Sequence, residues 1–140
     1  MEAAELRIGN LILLDGKISK VVSIDLDLED EGECLIKVDI FEYEKSPIGG
    51  IWKKYIERNY THFEPIPLTE EWFLKFGFHR IDLEIRGKTF ALGVTFEFWQ
   101  GSGYGWFPFI SMNKYQFNEI LYVHQLQNFY FILTGEELTL

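Results

Sequence analysis

An α+β fold is expected for this 140-residue chain from three features. Apolar and polar side chains alternate through most of its length, an Asp-Gly pair separates two of the alternating runs, and only two stretches carry helical spacing. The first half should form a mostly antiparallel, strongly twisted sheet or small barrel. Further β-hairpins, a short helix near 69–76 and a C-terminal helix near 122–134 should follow. The length suits one compact domain, 1–140, with a seam near residue 65 as the place where it would divide into 1–64 and 65–140.

The elements follow in order. Leu11-Ile12-Leu13-Leu14 is a short apolar run, and Lys17 to Ile24 alternates imperfectly. Asp15-Gly16 between them is a hairpin signal, because both central residues of the favoured turn need positive φ. Cys34 to Phe41 has a two-residue period through Ile36, Val38 and Ile40. The acidic stretch Asp25 to Glu33 between these runs reads as a solvated hairpin tip. It fails as a calcium loop, because Asp30 stands where glycine is needed and Ile36 where the final glutamate is needed. Ser46-Pro47-Ile48-Gly49-Gly50 is a turn, and Ile51-Trp52 begins a fourth strand. Pro65 and Pro67 keep the chain extended around Ile66.

Thr69 suits an N-cap, Glu70 and Glu71 suit the positive end of a helix dipole, and Gly77 suits the position after the last turn. Trp72, Phe73 and Phe76 then form one apolar face to dock on a sheet. Ile81, Leu83 and Ile85 alternate with charged residues, and Arg86-Gly87 turns the chain. Phe90, Leu92, Val94, Phe96 and Phe98 read as the clearest half-buried strand. A Gly-rich loop, Gln100 to Gly105, leads into Trp106 to Ile110. In the last helix Tyr122, Val123, Leu126, Phe129, Tyr130 and Leu133 fall on one face. His124, Gln125, Gln127 and Asn128 fill the other, with Phe131 the odd apolar residue there, and Gly135 ends the helix.

Composition narrows the function classes. Thirteen basic against 22 acidic side chains leave a net charge of −9. Direct nucleic-acid binding is therefore not expected, since phosphates must be neutralised. The single cysteine, Cys34, excludes an intramolecular disulfide and a Cys-rich zinc site. No apolar run approaches the length of a membrane span, and the polar, acidic opening is unlike a secretory signal, so a cytoplasmic protein is expected. Aromatic residues make up 17% of the chain, enough to fill a core and still leave rings for a binding surface.

Each apparent chemical motif is incomplete. Gly103-Tyr104-Gly105-Trp106-Phe107-Pro108-Phe109 only partly matches an RNA-recognition strand: Ser102 replaces the basic residue and Pro108 interrupts the pattern. His62-Phe63-Glu64 has the order of a zinc deaminase motif but lacks its two thiolates. His62, His79 and His124 show no metal-ligand spacing, and no serine or carboxylate pair has a catalytic context. No enzymatic activity, metal or cofactor is expected.

Leu6 to Leu11 with Asp15-Gly16-Lys17-Ile18, Pro65 to Trp72 with Phe76-Gly77-Phe78, and Tyr122 to Asn128 with Thr134 to Leu138 are three separated anchors. Together they resemble a family of small uncharacterised proteins of gut bacteria and of their phages and mobile elements. That resemblance implies a phage or mobile-element origin and carries no activity with it. The opening, Gly9-Asn10, a strand, Asp15-Gly16 and another strand, also looks like a small SH3-like barrel. It would make 1–64 the SH3-like part and 65–140 the α+β part.

The leading expectation is a non-enzymatic protein-binding or adaptor module. The SH3-like reading places Tyr43, Trp52 and Tyr55 near a peptide groove. His124, Gln127, Asn128 and Phe131 offer a second face. One alternative is an acidic mimic of nucleic acid that occupies a host DNA-binding protein, drawn from the charge and the acidic stretch. Another is a small-molecule or sugar binder using Trp99, Tyr104 and Trp106 as an aromatic platform. The expected partner is another protein, not a membrane, and self-association is left open.

Overall fold

The computed structural model describes residues 3–26, 34–45, 47–83, 87–92, 96–100, 105–110 and 115–140. Within them the fold is α+β, with two five-stranded antiparallel sheets and two α-helices. The chain divides into two compact units, Met1–Ile66 and Pro67–Leu140.

The first unit holds β1 (Leu11–Leu14), β2 (Lys17–Leu26), β3 (Cys34–Lys45), β4 (Ile51–Asn59) and β5 (Phe63–Glu64). Asp15 and Gly16 have φ of 51° and 74°, as the Asp-Gly hairpin between β1 and β2 requires. The sheet order is β4-β3-β2-β1-β5. A short 3-10 turn, Tyr60–His62, precedes β5; the Asn59 Oδ1 accepts the Thr61 N–H at 3.1 Å and so holds the turn. Alternate residues of the strands fill the core: Ile12, Leu14, Val21, Ile36, Val38 and Phe63, joined by Leu6, Cys34 and Ile40. Fully burying each such aliphatic side chain contributes about 1.5–3 kcal/mol. Burial also pushes the Cys34 thiol above its ordinary pKa, as does the nearby Asp25 charge, so the thiol stays protonated. The order is that of a five-stranded antiparallel sheet, and the SH3-like barrel expected for this part is not shown by it. Its two ends, β4 and β5, are not hydrogen-bonded neighbours among the described residues.

The second unit holds α1 (Glu70–Lys75), β6 (His79–Leu83), β7 (Gly87–Leu92), β8 (Phe96–Gln100), β9 (Trp106–Ile110), β10 (Tyr115–Gln116) and α2 (Val123–Thr134). Its sheet order is β10-β9-β8-β7-β6. Thr69 takes the N-cap position of α1, although its side chain makes no capping bond. Gly77 has φ 83° just after that helix. Phe73 is fully buried in an aromatic cluster, with ring centroids 5.0 Å from Phe90, 4.7 Å from Trp106, 5.3 Å from Phe98 and 5.4 Å from Phe78.

The run from Phe90 to Phe98 is not one strand. It folds back on itself, so that Leu92 pairs with Phe96 and Phe90 with Phe98. Residues 93–95, between the two strands, lie outside the described residues. The misreading has a physical cause: an odd number of residues between two directly opposed positions keeps the alternation in phase. A hairpin and a long strand then show the same pattern.

Candidate functional site

β3 has twelve residues, but β2 follows it only as far as the pair Lys20 with Asp39. Beyond Asp39, among the described residues, β3 pairs with β4 alone, through Tyr43 with Lys53, Glu44 with Trp52 and Lys45 with Ile51. This part of the hairpin is therefore a two-stranded ribbon with solvent on both faces. That geometry explains why its large side chains are exposed: Tyr43 65%, Ile48 90%, Ile51 73% and Trp52 58%, with Phe41 and Tyr55 also exposed. Sequence reading found Tyr43, Trp52 and Tyr55 but missed Phe41, Ile48 and Ile51. The available signal was the run of extended-favouring residues continuing past Phe41 to Lys45.

A bulge roots the ribbon. Two steps along β4, from Tyr55 to Lys53, are matched by four along β3, from Asp39 to Tyr43. Within it Phe41 has φ 58°, a left-handed conformation that non-glycine residues rarely adopt. Asp39 stabilises it: its Oδ1 accepts the Phe41 N–H at 2.8 Å and its Oδ2 accepts from Lys53 Nζ at 2.9 Å. Burial pushes the Asp39 carboxyl up, but the Lys53 hydrogen bond, the Phe41 N–H and the charges of Lys53 and Lys20 outweigh it. The carboxyl is held below its ordinary value.

Strand pairing sets which side chains share a face. Ile51, Lys53 and Tyr55 of β4 fall on one face with Tyr43 and Lys45 of β3, and Lys37 Nζ lies 5.6 Å from the Tyr55 ring centre. Trp52 falls on the opposite face, with Glu44 across from it. The expected groove of Tyr43, Trp52 and Tyr55 is corrected accordingly: the three share one hairpin but not one face. At the ribbon's base Glu42 accepts from Lys17 at 2.8 Å and lies 3.6 Å from Lys54.

The other expected surfaces are also corrected. Trp106 is 1% exposed; its Nε1 donates to the Leu68 carbonyl at 3.2 Å and its ring packs against Phe73 and Phe90. Trp99 pairs with Phe107 and stacks on it at 5.0 Å, on the sheet face opposite Trp106. The two tryptophans therefore do not form one platform. Tyr104, and the acidic segment 27–33, lie outside the described residues.

In α2, His124 and Gln127 are buried and Asn128 and Phe131 are half-buried, whereas Ile132 is 77% exposed. For Gln127 the cause is the C-terminal tail. Gly135, at φ 74°, reverses the chain, and Gln127 Nε2 donates to the Leu138 carbonyl at 3.2 Å. The face that looked solvated in the sequence is thus covered. The start of α2 is held by Gln125, whose Oε1 accepts the N–H groups of Leu121 and Tyr122 at 2.9 and 3.2 Å.

One recess of about 400 Å³ is formed within the second unit by Pro67, Leu68, Thr69, Glu70, Gln100, Trp106, Leu121 and Tyr122. It is mostly apolar, and the Leu68 N–H bonded to the Leu121 carbonyl at 2.9 Å ties its two sides together. Among the described residues no group of three or more His, Cys, Asp or Glu side chains is placed to hold a metal ion. Among them, too, no helix is long and apolar enough to cross a membrane. No protein-family model, curated protein or solved structure matches the chain.

Proposed function

We propose that the chain is a non-enzymatic protein-binding module that uses the β3–β4 ribbon as its contact. One observation carries this reading: Phe41, Tyr43, Ile48, Ile51, Trp52 and Tyr55 are exposed together on one hairpin, while the core beside it is filled by other side chains. Exposed tyrosine and tryptophan of this density mark protein contacts, where they supply large area at low entropic cost. Lys45 and Lys53 stand beside Tyr43, Ile51 and Tyr55 on one face. The partner this face suits is an extended protein segment with acidic side chains between apolar ones. The resemblance to a phage and mobile-element family supports a partner from that setting.

A photo-crosslinking residue placed at position 43 or 51, on the shared face, tests the reading. A single partner should crosslink from both positions, survive nuclease, and be lost with Tyr55→Ser or Lys45→Glu. Crosslinking no stronger than from position 74, on α1, would overturn it.

The recess favours a second reading, a small-molecule site. Tyr122 offers ring surface, and Glu70, 3.8 Å from Arg80, is the acidic group of its lining. Such a mostly apolar cavity with few polar groups has the size of common ligand pockets. Phenethylamine, an aromatic cation, should raise Tm and change tryptophan fluorescence more than phenylacetate does. No response to either compound up to millimolar concentration would remove this reading.

A further inference from the structure

We propose that β4 pairs with β4 of a second copy of this chain, in antiparallel register about a two-fold axis through Tyr55. β4 is the outer strand of its sheet, and among the described residues its nine residues pair only with β3. The backbone groups that point away from β3 form an edge able to accept another strand.

The sequence of this edge, Ile51-Trp52-Lys53-Lys54-Tyr55-Ile56-Glu57-Arg58-Asn59, is complementary to itself when reversed. With the axis on Tyr55, Lys53 stands opposite Glu57 of the second copy, and by symmetry Glu57 stands opposite Lys53. Trp52 stands opposite Arg58, twice, and Tyr55 meets its own counterpart. The faces also agree, because Lys53, Tyr55 and Glu57 lie on one face of the strand and Trp52 and Arg58 on the other. Opposite charges and cation–aromatic pairs directly across a ladder are stabilising.

Neighbouring registers lose this match. Moving the axis to lie between Tyr55 and Ile56 sets Lys53 against Arg58, which offsets the Lys54–Glu57 pairs that register also makes. Moving it between Lys54 and Tyr55 leaves every charged side chain without an opposite charge across from it. An axis on Lys54 sets that lysine against itself, and one on Ile56 sets Lys54 against Arg58. Lysines on an edge strand ordinarily discourage pairing. In the Tyr55 register each Lys53, already bonded to Asp39 of its own chain, meets a second carboxylate, so the charges select a partner rather than repel one. A two-fold contact of this kind is closed and yields a dimer, not a filament.

The pairing uses the strand edge and leaves the ribbon's faces free. Tyr43 and Tyr55 of both copies would then form one row on a shared face. The inference does not depend on the protein-binding reading, and each can fail alone.

Sedimentation of the full chain from about 1 to 300 μM should show a monomer–dimer equilibrium that weakens with salt. Glu57→Lys sets lysines against each other at both pairs and should raise the dimer Kd about tenfold or more, with an unchanged circular-dichroism spectrum. A second measurement reads the register itself. Directly opposed Cα atoms in an antiparallel pair lie within disulfide reach. Tyr55→Cys should therefore oxidise to a covalent dimer, whereas Trp52→Cys, far from its symmetry mate, should not. A monomer at every concentration overturns the proposal. So does a dimer indifferent to Glu57→Lys, or equal crosslinking by Tyr55→Cys and Trp52→Cys.

Discussion

Asp39 shows how much one side chain decides in this protein. Its carboxylate is almost wholly buried at the foot of the ribbon, where it binds the Phe41 N–H and the Lys53 ammonium. Because its pKa is lowered in the folded chain, its ionised form favours folding. That stability is full above about pH 4 and is lost as pH falls through the lowered folded value. Lys53 is raised, chiefly by its hydrogen bond to Asp39, so its share is full below about pH 10.4 and is lost only at higher pH. Asp39→Asn should cost about 1–2 kcal/mol at pH 7, and the gap from wild type should close as pH falls below 4, read by urea titrations at several pH values. Phe73→Ala, at the centre of the second unit's ring cluster, should cost about 3–5 kcal/mol in the same experiment. By contrast, Trp52→Ser on the open ribbon should change stability by no more than about 0.5 kcal/mol. Asp39, placed on a strand by its alternation with Val38 and Ile40, gave no local sign of its role. Its partner stands fourteen residues away, across a bulge that only the pairing reveals.

At the scale of elements, length and pairing matter more than type. β3 outruns β2, and this mismatch turns an ordinary hairpin into a two-faced ribbon. The end of α2 is controlled similarly by one residue. Gly135 sits at φ 74° with no neighbour within 4 Å of where a Cβ would stand. Gly135→Ala should therefore cost only the left-handed backbone penalty, about 1 kcal/mol. The expected result is a small fall in Tm together with faster hydrogen exchange at position 135, whose N–H donates to the Phe131 carbonyl at 2.8 Å. The helix itself was readable from its 3.6-residue spacing. Which of its faces is buried was not, because the tail that Gln127 bonds is brought back by the Gly135 turn.

For the whole molecule, the division after Ile66 is the main structural fact. The first unit has its own core, from Leu6 to Phe63, and its own sheet. A domain of this size buries about 60% of its unfolded surface and is marginal, yet many such domains fold alone. Residues 1–66 expressed by themselves are expected to give dispersed amide resonances and a cooperative, low-temperature melt. A collapsed, undispersed spectrum would show that the first unit needs the rest of the chain. The extended Pro65-Ile66-Pro67 stretch stands at this division, since proline resists the helix and sheet interiors that would join two units into one.

What the amino-acid order determined alone was local. It set the α+β class, the Asp15-Gly16 hairpin, the alternation that fills the first core, and the two helices to within a residue or two of their ends. These depend on periodicity and turn chemistry, which act over a few neighbours. Only the tertiary structure decided which aromatics face solvent. Trp106 and Trp52 each stand at the start of a strand that follows glycines in the sequence, yet one is sealed against Phe73 and the other lies open on a ribbon. The difference comes from the segments that pack over each of them, and coverage by distant segments leaves no mark in a local pattern.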